Sequence, residues 1–292
     1  MTLKATFLKV IRKSKDCFVK KYVPGKHRDD YLGWIINEEF LTRQTRQIQQ
    51  MLQALANGVT LDEVLQGFDG RRCGERIVEY PYFIDWYERS GACETILDIG
   101  CVLNNPAVSL YLNTHVESLW FCNPAVESLV LDRPTYYHIS KLIDAFPAGE
   151  RFKLITCLST IEHIGYDNSQ YGSKEAALYD VPSDEPLLTS IEKISELLLP
   201  EGKSLISVPF GLRAVNLHRV TKLPAFQSFD WASAQAVKSH ARSLGLDCHC
   251  VVYAGDENGW KKIIDPANFQ EPYGHGFPGA PAVLMIELTK PS

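Results

Sequence analysis

The chain has no apolar run near the ~18 residues needed to cross a bilayer. Its first residues carry charges where a secretory segment would be apolar, so no signal peptide is expected. No internal repeat or low-complexity stretch interrupts it. The paired cysteine spacing of a zinc site is also missing. Eight cysteines (17, 73, 93, 101, 122, 157, 248 and 250) are scattered, several inside apolar runs such as "LWFCNP" and "KLITCLS". That usage suits reduced thiols in a cytoplasmic protein with no metal centre, and "CHC" at 248–250 is read as strand residues. Basic charge is outnumbered by acidic charge beyond the N-terminus. Residues 1–28 hold nine Lys/Arg against Asp16, a net +8, so with a formal total of -5 the remainder carries -13. An acidic body excludes nucleic-acid binding by the whole surface, because attraction to phosphates supplies most of such affinity.

What is present is an ordinary globular composition, 45% hydrophobic and 22% charged, in 292 residues. In "MTLKATFLKVIRKSKDCFVKKY" the residues Leu3, Phe7, Val10, Ile11 and Phe18 recur at helical spacing among lysines and arginines. Such a segment either packs its apolar stripe on the rest of the protein or lies on an anionic membrane surface through residues 1–22, at the inner face of the membrane. A second helical pattern runs from Tyr31 to about Ala56 and stops at Gly58. "TLDE" at 60–63 is a capping box for a short helix. Residues 1–75 are therefore expected to form a helical extension.

From Arg76 onward, short apolar runs alternate with helical patterns, which predicts an α/β domain over 76–292 with a mostly parallel, Rossmann-like sheet. Seven strands are expected: 95–100, 118–123, 135–139, 153–159, 204–209, 247–254 and 282–289. Helices are expected from Asp184 to Leu199, with Ser183 as cap, and over 231–246. Only a loop separates the last two strands, so the sheet should end in an antiparallel pair.

Ligands of doubly wound sheets sit at the carboxyl ends of the strands. In "ETILDIGCVLNNP" (94–106) the first strand ends in Asp98 and Gly100, but Cys101, Val102, Leu103 and two asparagines stand where further glycines would be expected. The second strand ends in Asn123, where an acid that holds ribose hydroxyls would be usual. "FKLITCLSTIEHIGYDN" places Ser159, Thr160, Glu162 and His163 where the fourth strand leaves the sheet. "FGLRAVNLHRVTK" (210–222) puts Arg213, His218, Arg219 and Lys222 after the fifth strand, either a solvated loop or a patch for an anionic acceptor.

These motifs, in this order, resemble the class I S-adenosylmethionine (SAM)-dependent methyltransferases. The likeness is nearest to the type-11-like group associated with bacterial glycan and lipopolysaccharide pathways. The resemblance runs from about Arg76 to Lys290 through "RIVEYPYFIDWY", "ILDIGC", "STIEHIG" and "LLPEGKSLISVPFG". It implies SAM as cofactor, with Asp98, Gly100 and Cys101 in the loop around its methionine part and Asn123 at the ribose position. Ser159 and Thr160 would lie beside the cofactor, and Glu79 and Tyr80 would cover it from the N-terminal side. The acid that contacts adenine has no clear counterpart, Asp144 being set late, and Lys153 replaces the acid usual before the fourth strand.

The function implied is O-methylation of a sugar or another small-molecule or glycan-pathway acceptor. Methyl transfer needs an acceptor oxygen held in line and relieved of its proton. His163 is the expected base, Glu162 its orienting partner or a sugar-hydroxyl ligand, and Asp167 a further candidate, on the loop after it. Arg213, His218 and Arg219 are the acceptor-binding candidates. Two other readings stay open: a methyltransferase-like scaffold that no longer binds SAM, and a nucleotide-dependent oxidoreductase. Against the latter, neither Gly-x-Gly-x-x-Gly after the first strand nor a helical Tyr-x-x-x-Lys pair is present.

Overall fold

A computed structural model describes residues 38–67, 73–91, 95–124, 127–132, 135–138, 149–166, 179, 181–217, 222–274 and 279–292. The basic segment 1–22 and the expected site residues Asp144, Asp167, His218 and Arg219 lie outside the described residues. Ten strands are described: β1 (Thr95–Ile99), β2 (Ser118–Cys122), β3 (Thr135–His138), β4 (Phe152–Leu158), β5 (Leu198–Phe210), β6 (Ala214–Leu217), β7 (Pro224–Ser228), β8 (Asp247–Asp256), β9 (Gly259–Lys262) and β10 (Ala282–Thr289). The helices are α1 (Glu38–Ala56), α2 (Leu61–Val64), α3 (Arg76–Ser90), α4 (Pro106–His115), α5 (Glu185–Leu197) and α6 (Trp231–Ser243).

Eight strands form one sheet in the order β3-β2-β1-β4-β5-β10-β8-β9. Strands β1 to β5 are parallel, and β10 inserts antiparallel between β5 and β8. The seven expected strands are all there, and the expected antiparallel ending is the β10–β8 pair. This is the seven-stranded α/β arrangement that the resemblance implies, with β9 added at one edge.

Three local features depart from the sequence reading. Strand β5 begins at Leu198, six residues early, because Leu198 pairs with Phe152 across an irregularity in register. The stretch after β5 folds back as a separate β6–β7 hairpin. Strand β9 pairs with the end of β8 and is tied to the N-terminal helices, where the Trp260 amide donates to the Leu65 carbonyl at 2.7 Å. Gly259 is required there: its φ is +121°, and a Cβ would overlap the Leu65 carbonyl.

Period-2 alternation divides the core between the two faces of the sheet. Ile96, Leu154, Leu205 and Met285 face a layer that includes α1, α3 and α4, while Leu97, Ile155, Ile206 and Ile286 face α5 and α6. Helix α3 is buried nearly all round, from Ile77 through Tyr87, the signature of a helix covered on every side. Ile48 and Met51 of α1, with Val64 and Leu65 around α2, join that same core. Thr60 and Glu63 form the expected capping box. The Ser183 hydroxyl accepts from the Glu185 amide at 3.2 Å at the head of α5. Among the described residues no helix is long and apolar enough to cross a membrane.

Ile48 is fully buried, so Ile48→Ala is expected to lower stability by about 2–5 kcal/mol in urea unfolding. A loss below about 0.5 kcal/mol would show that α1 contributes nothing to the core.

Candidate active site

The strand face that meets α3 changes character within one pleat. Two residues beyond the apolar Ile96, Leu154 and Leu205 stand Asp98, Thr156 and Ser207, all buried polar groups at the carboxyl ends of β1, β4 and β5. A buried polar group must find partners or cost free energy. Each of these does so across strands or to α3.

Asp98 organises the loop after β1. Its carboxylate accepts from the Leu103 amide at 2.7 Å and from the Thr156 hydroxyl at 2.9 Å. The chain between adopts left-handed backbone, with φ +98° at Gly100 and +58° at Cys101. A Cβ on Gly100 would overlap the Thr160 hydroxyl. Thr160 Oγ1 donates to Leu158 O at 2.8 Å and reaches Ile99 O at 3.3 Å, so the exits of β1 and β4 are in direct contact. Tyr80, from α3, donates its hydroxyl to the Val102 carbonyl at 2.8 Å and closes the loop from the N-terminal side. The asparagines have separate tasks. Asn105 caps α4 by accepting from Ala107 N at 2.9 Å, and Asn104 donates to Ser128 O at 3.0 Å while accepting from Val130 N at 2.8 Å.

Glu79 is fully buried and engaged on both oxygens. Oε1 accepts from the hydroxyls of Ser159 and Ser207, each at 2.5 Å, and Oε2 accepts from Arg76. Ser159 has a φ of +38°, a conformation that costs a non-glycine residue about 1–3 kcal/mol. It is held there by the Glu79 contact and by its amide, which donates to Ser207 O at 3.0 Å and Ser207 Oγ at 2.9 Å.

The 3-10 turn Ile161–His163 then presents Glu162 and His163. Glu162 is buried, and its Oε2 has no hydrogen-bond partner among the described residues. Burial drives its carboxyl well above the usual range, and the nearby Glu79 adds to the effect. Glu75, half-buried with an Oε2 that has no hydrogen-bond partner among the described residues, is raised by desolvation of its carboxyl too. His163 Nδ1 lies 3.0 Å from the Ala225 carbonyl on β7. A carbonyl only accepts, so Nδ1 carries the proton and Nε2 presents its lone pair. Burial lowers the imidazole to about 4, and Arg76 adds to that shift. The ring packs on Phe226, whose own partner is Tyr273, with centroids 5.6 and 4.7 Å apart.

The structure thus gathers Glu79, Tyr80, Asp98, Gly100, Cys101, Ser159, Thr160, Glu162 and His163 at the carboxyl ends of the adjacent central strands β1, β4 and β5. Asn123 ends β2 beside them, its Nδ2 donating to Glu127 Oε1 at 3.0 Å. Arg213 is paired with Asp184 at 3.1 Å. Sequence reasoning missed Arg76, Thr156 and Ser207. The first was legible as a cation three residues before Glu79 on the same helix, and Thr156 and Ser207 as polar residues on the inward phase of buried strands.

No family model matches the chain, and no curated protein matches it. Solved structures that resemble it are distant. A SAM-dependent methyltransferase from Methanosarcina mazei is 10% identical, with 72% of this chain and 97% of that one covered at a TM-score of 0.44. The 1,6-didemethyltoxoflavin-N1-methyltransferase of Burkholderia thailandensis, solved with S-adenosylhomocysteine, is 12% identical over 73% and 77%, with a TM-score of 0.42. The N-methyltransferase NodS of Bradyrhizobium japonicum, also solved with S-adenosylhomocysteine, is 12% identical over 84% and 99%, with a TM-score of 0.38. Likeness at this distance says nothing about what the chain binds, so any function must rest on its own residues.

Burial raises the Asp98 carboxyl to about 7, against the hydrogen bonds from Leu103 and Thr156. The folded protein therefore holds more protons than the unfolded chain between about pH 4 and 7, and stability falls as pH rises through that window. Relative to Asp98→Asn, the wild type is expected to lose up to about 1.4 kcal/mol per pH unit over this range in denaturant titrations. A flat difference from pH 5 to 8 would place Asp98 in the ordinary carboxylate range.

Proposed function

We propose that the protein is a SAM-dependent methyltransferase that methylates an oxygen of a sugar or glycan-pathway intermediate. The observation that carries this reading is the convergence, at the carboxyl ends of β1 and β4, of a loop ordered by a buried Asp98 with a histidine held in its neutral, accepting form.

The residues fit the cofactor. Gly100 and Cys101 give the loop left-handed backbone, which lets main-chain groups approach a ligand. The unpartnered Glu162 Oε2 is an oxygen that an ammonium or hydroxyl of a bound molecule would satisfy. Asp98, Gly100, Cys101, Tyr80, Asn123, Ser159 and Thr160 would line the cofactor. Glu79, with both oxygens engaged, acts as the clamp beneath them. When bound, SAM supplies an electrophilic methyl group on a sulfonium.

His163 Nε2 takes the proton from the acceptor hydroxyl. An imidazole near 4 is a weak base. It suffices because an oxygen that is forming a bond to carbon becomes oxonium-like, and its proton is then far more acidic than an imidazolium. The Ala225 carbonyl fixes the ring, and Phe226 and Tyr273 give the acceptor an aromatic wall. An anionic acceptor group would meet Arg213, His218 and Arg219, with Arg213 shared between it and Asp184. The basic segment 1–22 would hold the protein at an anionic membrane surface.

Calorimetric titration tests the cofactor. Micromolar binding of SAM and S-adenosylhomocysteine that Asp98→Ala abolishes is the expected result; well-folded protein that binds neither would leave a scaffold role. For the base, His163→Ala should retain S-adenosylhomocysteine affinity while turnover drops roughly 10²-fold or more. The acid limb of the wild-type rate profile should fall near pH 4. A limb near 6.5, or unchanged turnover in the variant, would remove His163 from this role.

A further inference from the structure

Two of the described cysteines differ from the others. Cys73, Cys101, Cys122 and Cys157 are buried, while Cys248 and Cys250 are half-buried. These two also touch, with their sulfurs hydrogen-bonded 3.8 Å apart. The cause is the period of β8, which turns residues 248 and 250 to one face and His249 to the other. That face packs against the layer of α5 and α6. The cation that acts on the thiols is Lys238 of α6, whose Nζ lies 4.8 Å from the centre of the Trp231 ring.

The two thiols are not equivalent. The hydrogen bond from Cys250, helped by the Lys238 charge, lowers the Cys248 thiol from its ordinary range against the effect of burial. The same hydrogen bond, together with burial, pushes Cys250 up. Cys248 is thus the nucleophile of the pair, and Cys250 stays a thiol beside it.

The strand also lets the pair close. Residues two apart on a strand have Cα atoms about 6.6 Å apart, inside the roughly 4.4–6.8 Å that a disulfide spans. Bringing the sulfurs from 3.8 Å to bonding distance must pucker the chain. Asp247 begins β8, and β9 pairs only with Tyr253 to Asp256. Over 247–250 the strand is bonded to β10 alone among the described residues, at the last rungs of that ladder. Puckering therefore disturbs the end of one ladder, not the middle of the sheet. A disulfide strained in this way is readily reduced again.

We infer that Cys248 and Cys250 form a peroxide-reactive dithiol that cycles between two thiols and a disulfide. The Cys248 thiolate attacks one oxygen of hydrogen peroxide; the O–O bond breaks, hydroxide leaves and takes up a proton, and Cys248 becomes a sulfenic acid. The Cys250 sulfur then attacks the Cys248 sulfur, the S–O bond breaks, and water leaves with the Cys250 proton. Two thiols and one peroxide give a disulfide and two waters, the sulfurs losing two electrons and the peroxide gaining them. The pair is separate from the crevice, since β5 and β10 lie between β4 and β8. It therefore does not depend on whether the crevice binds SAM.

The test exposes the reduced full chain to hydrogen peroxide, blocks the remaining thiols with iodoacetamide in denaturant, and weighs the tryptic peptides by mass spectrometry. The peptide 243–261 contains Cys248 and Cys250 and no other cysteine. In the wild type it should emerge unalkylated and two hydrogens lighter than the dithiol. Dithiothreitol should restore both alkylation sites, and the buried Cys101 and Cys157 should stay reduced throughout. Cys250→Ser should stop at a sulfenic acid on Cys248 that dimedone traps, and Cys248→Ser should leave Cys250 fully alkylatable. The wild-type measurement needs no variant, and circular dichroism checks that both serine variants keep the fold. A wild-type peptide that stays alkylated at both cysteines overturns the inference, and so does oxidation of Cys101 or Cys157 at the same rate. Dimedone on Cys250 in Cys248→Ser, with Cys248 untouched in Cys250→Ser, also overturns it, because the order of attack is then reversed.

Discussion

The buried carboxylate of Glu79 is the interaction on which the site's geometry depends. Placed on α3, it takes a guanidinium from its own helix and two hydroxyls from the ends of β4 and β5. Three elements distant in sequence are thereby fixed to one pair of oxygens. Removing Arg76 would leave the fully buried Glu79 charge without its ion-pair partner, which is costly because that carboxylate stays desolvated. The pair is therefore weak evidence for stability and strong evidence for specificity of position. It holds Ser159 in left-handed backbone, and that turn decides where Thr160, Glu162 and His163 point.

The loop after β1 shows how a chain can keep the form of a glycine-rich loop without the glycines. Gly100 is irreplaceable, since the Thr160 hydroxyl occupies the place of its Cβ. At the next position Cys101 accepts the strain of a left-handed φ. From there hydrogen bonds take over. Val102 offers a carbonyl to Tyr80, Leu103 offers an amide to Asp98, Asn104 holds the 128–130 segment, and Asn105 caps α4. What flexibility of glycine gives elsewhere, side chains that each satisfy a backbone group give here.

The sheet was legible in the sequence because its strands are short, buried and bounded by turn residues. The seven expected strands, the antiparallel ending and the Thr60–Glu63 box follow from period and capping alone. Strand β9 and the β6–β7 hairpin were not, for a physical reason. These strands are short and share no common alternation of buried and exposed residues, so their pairing is decided by contacts with Leu65 and the 3-10 turn, not by local preference. In the site, Asp98, Ser159, Glu162 and His163 stood out as polar residues at strand ends. Arg76 and Ser207 carried a fainter signal, a cation three residues before Glu79 and a serine on the inward phase of a buried strand, whose meaning comes only from Glu79 lying between them.

The charge balance of the crevice follows from the same packing. The buried Glu79, Asp98 and Glu162 and the half-buried Glu75 are four carboxyls grouped about one guanidinium, Arg76. Full ionisation would leave three uncompensated charges in a medium where each costs several kcal/mol. The fold avoids this by pairing Glu79 with Arg76 and letting burial push Glu75, Asp98 and Glu162 toward their neutral forms. The neutral His163 fits the same balance, since a protonated imidazole near Arg76 would add a second buried cation.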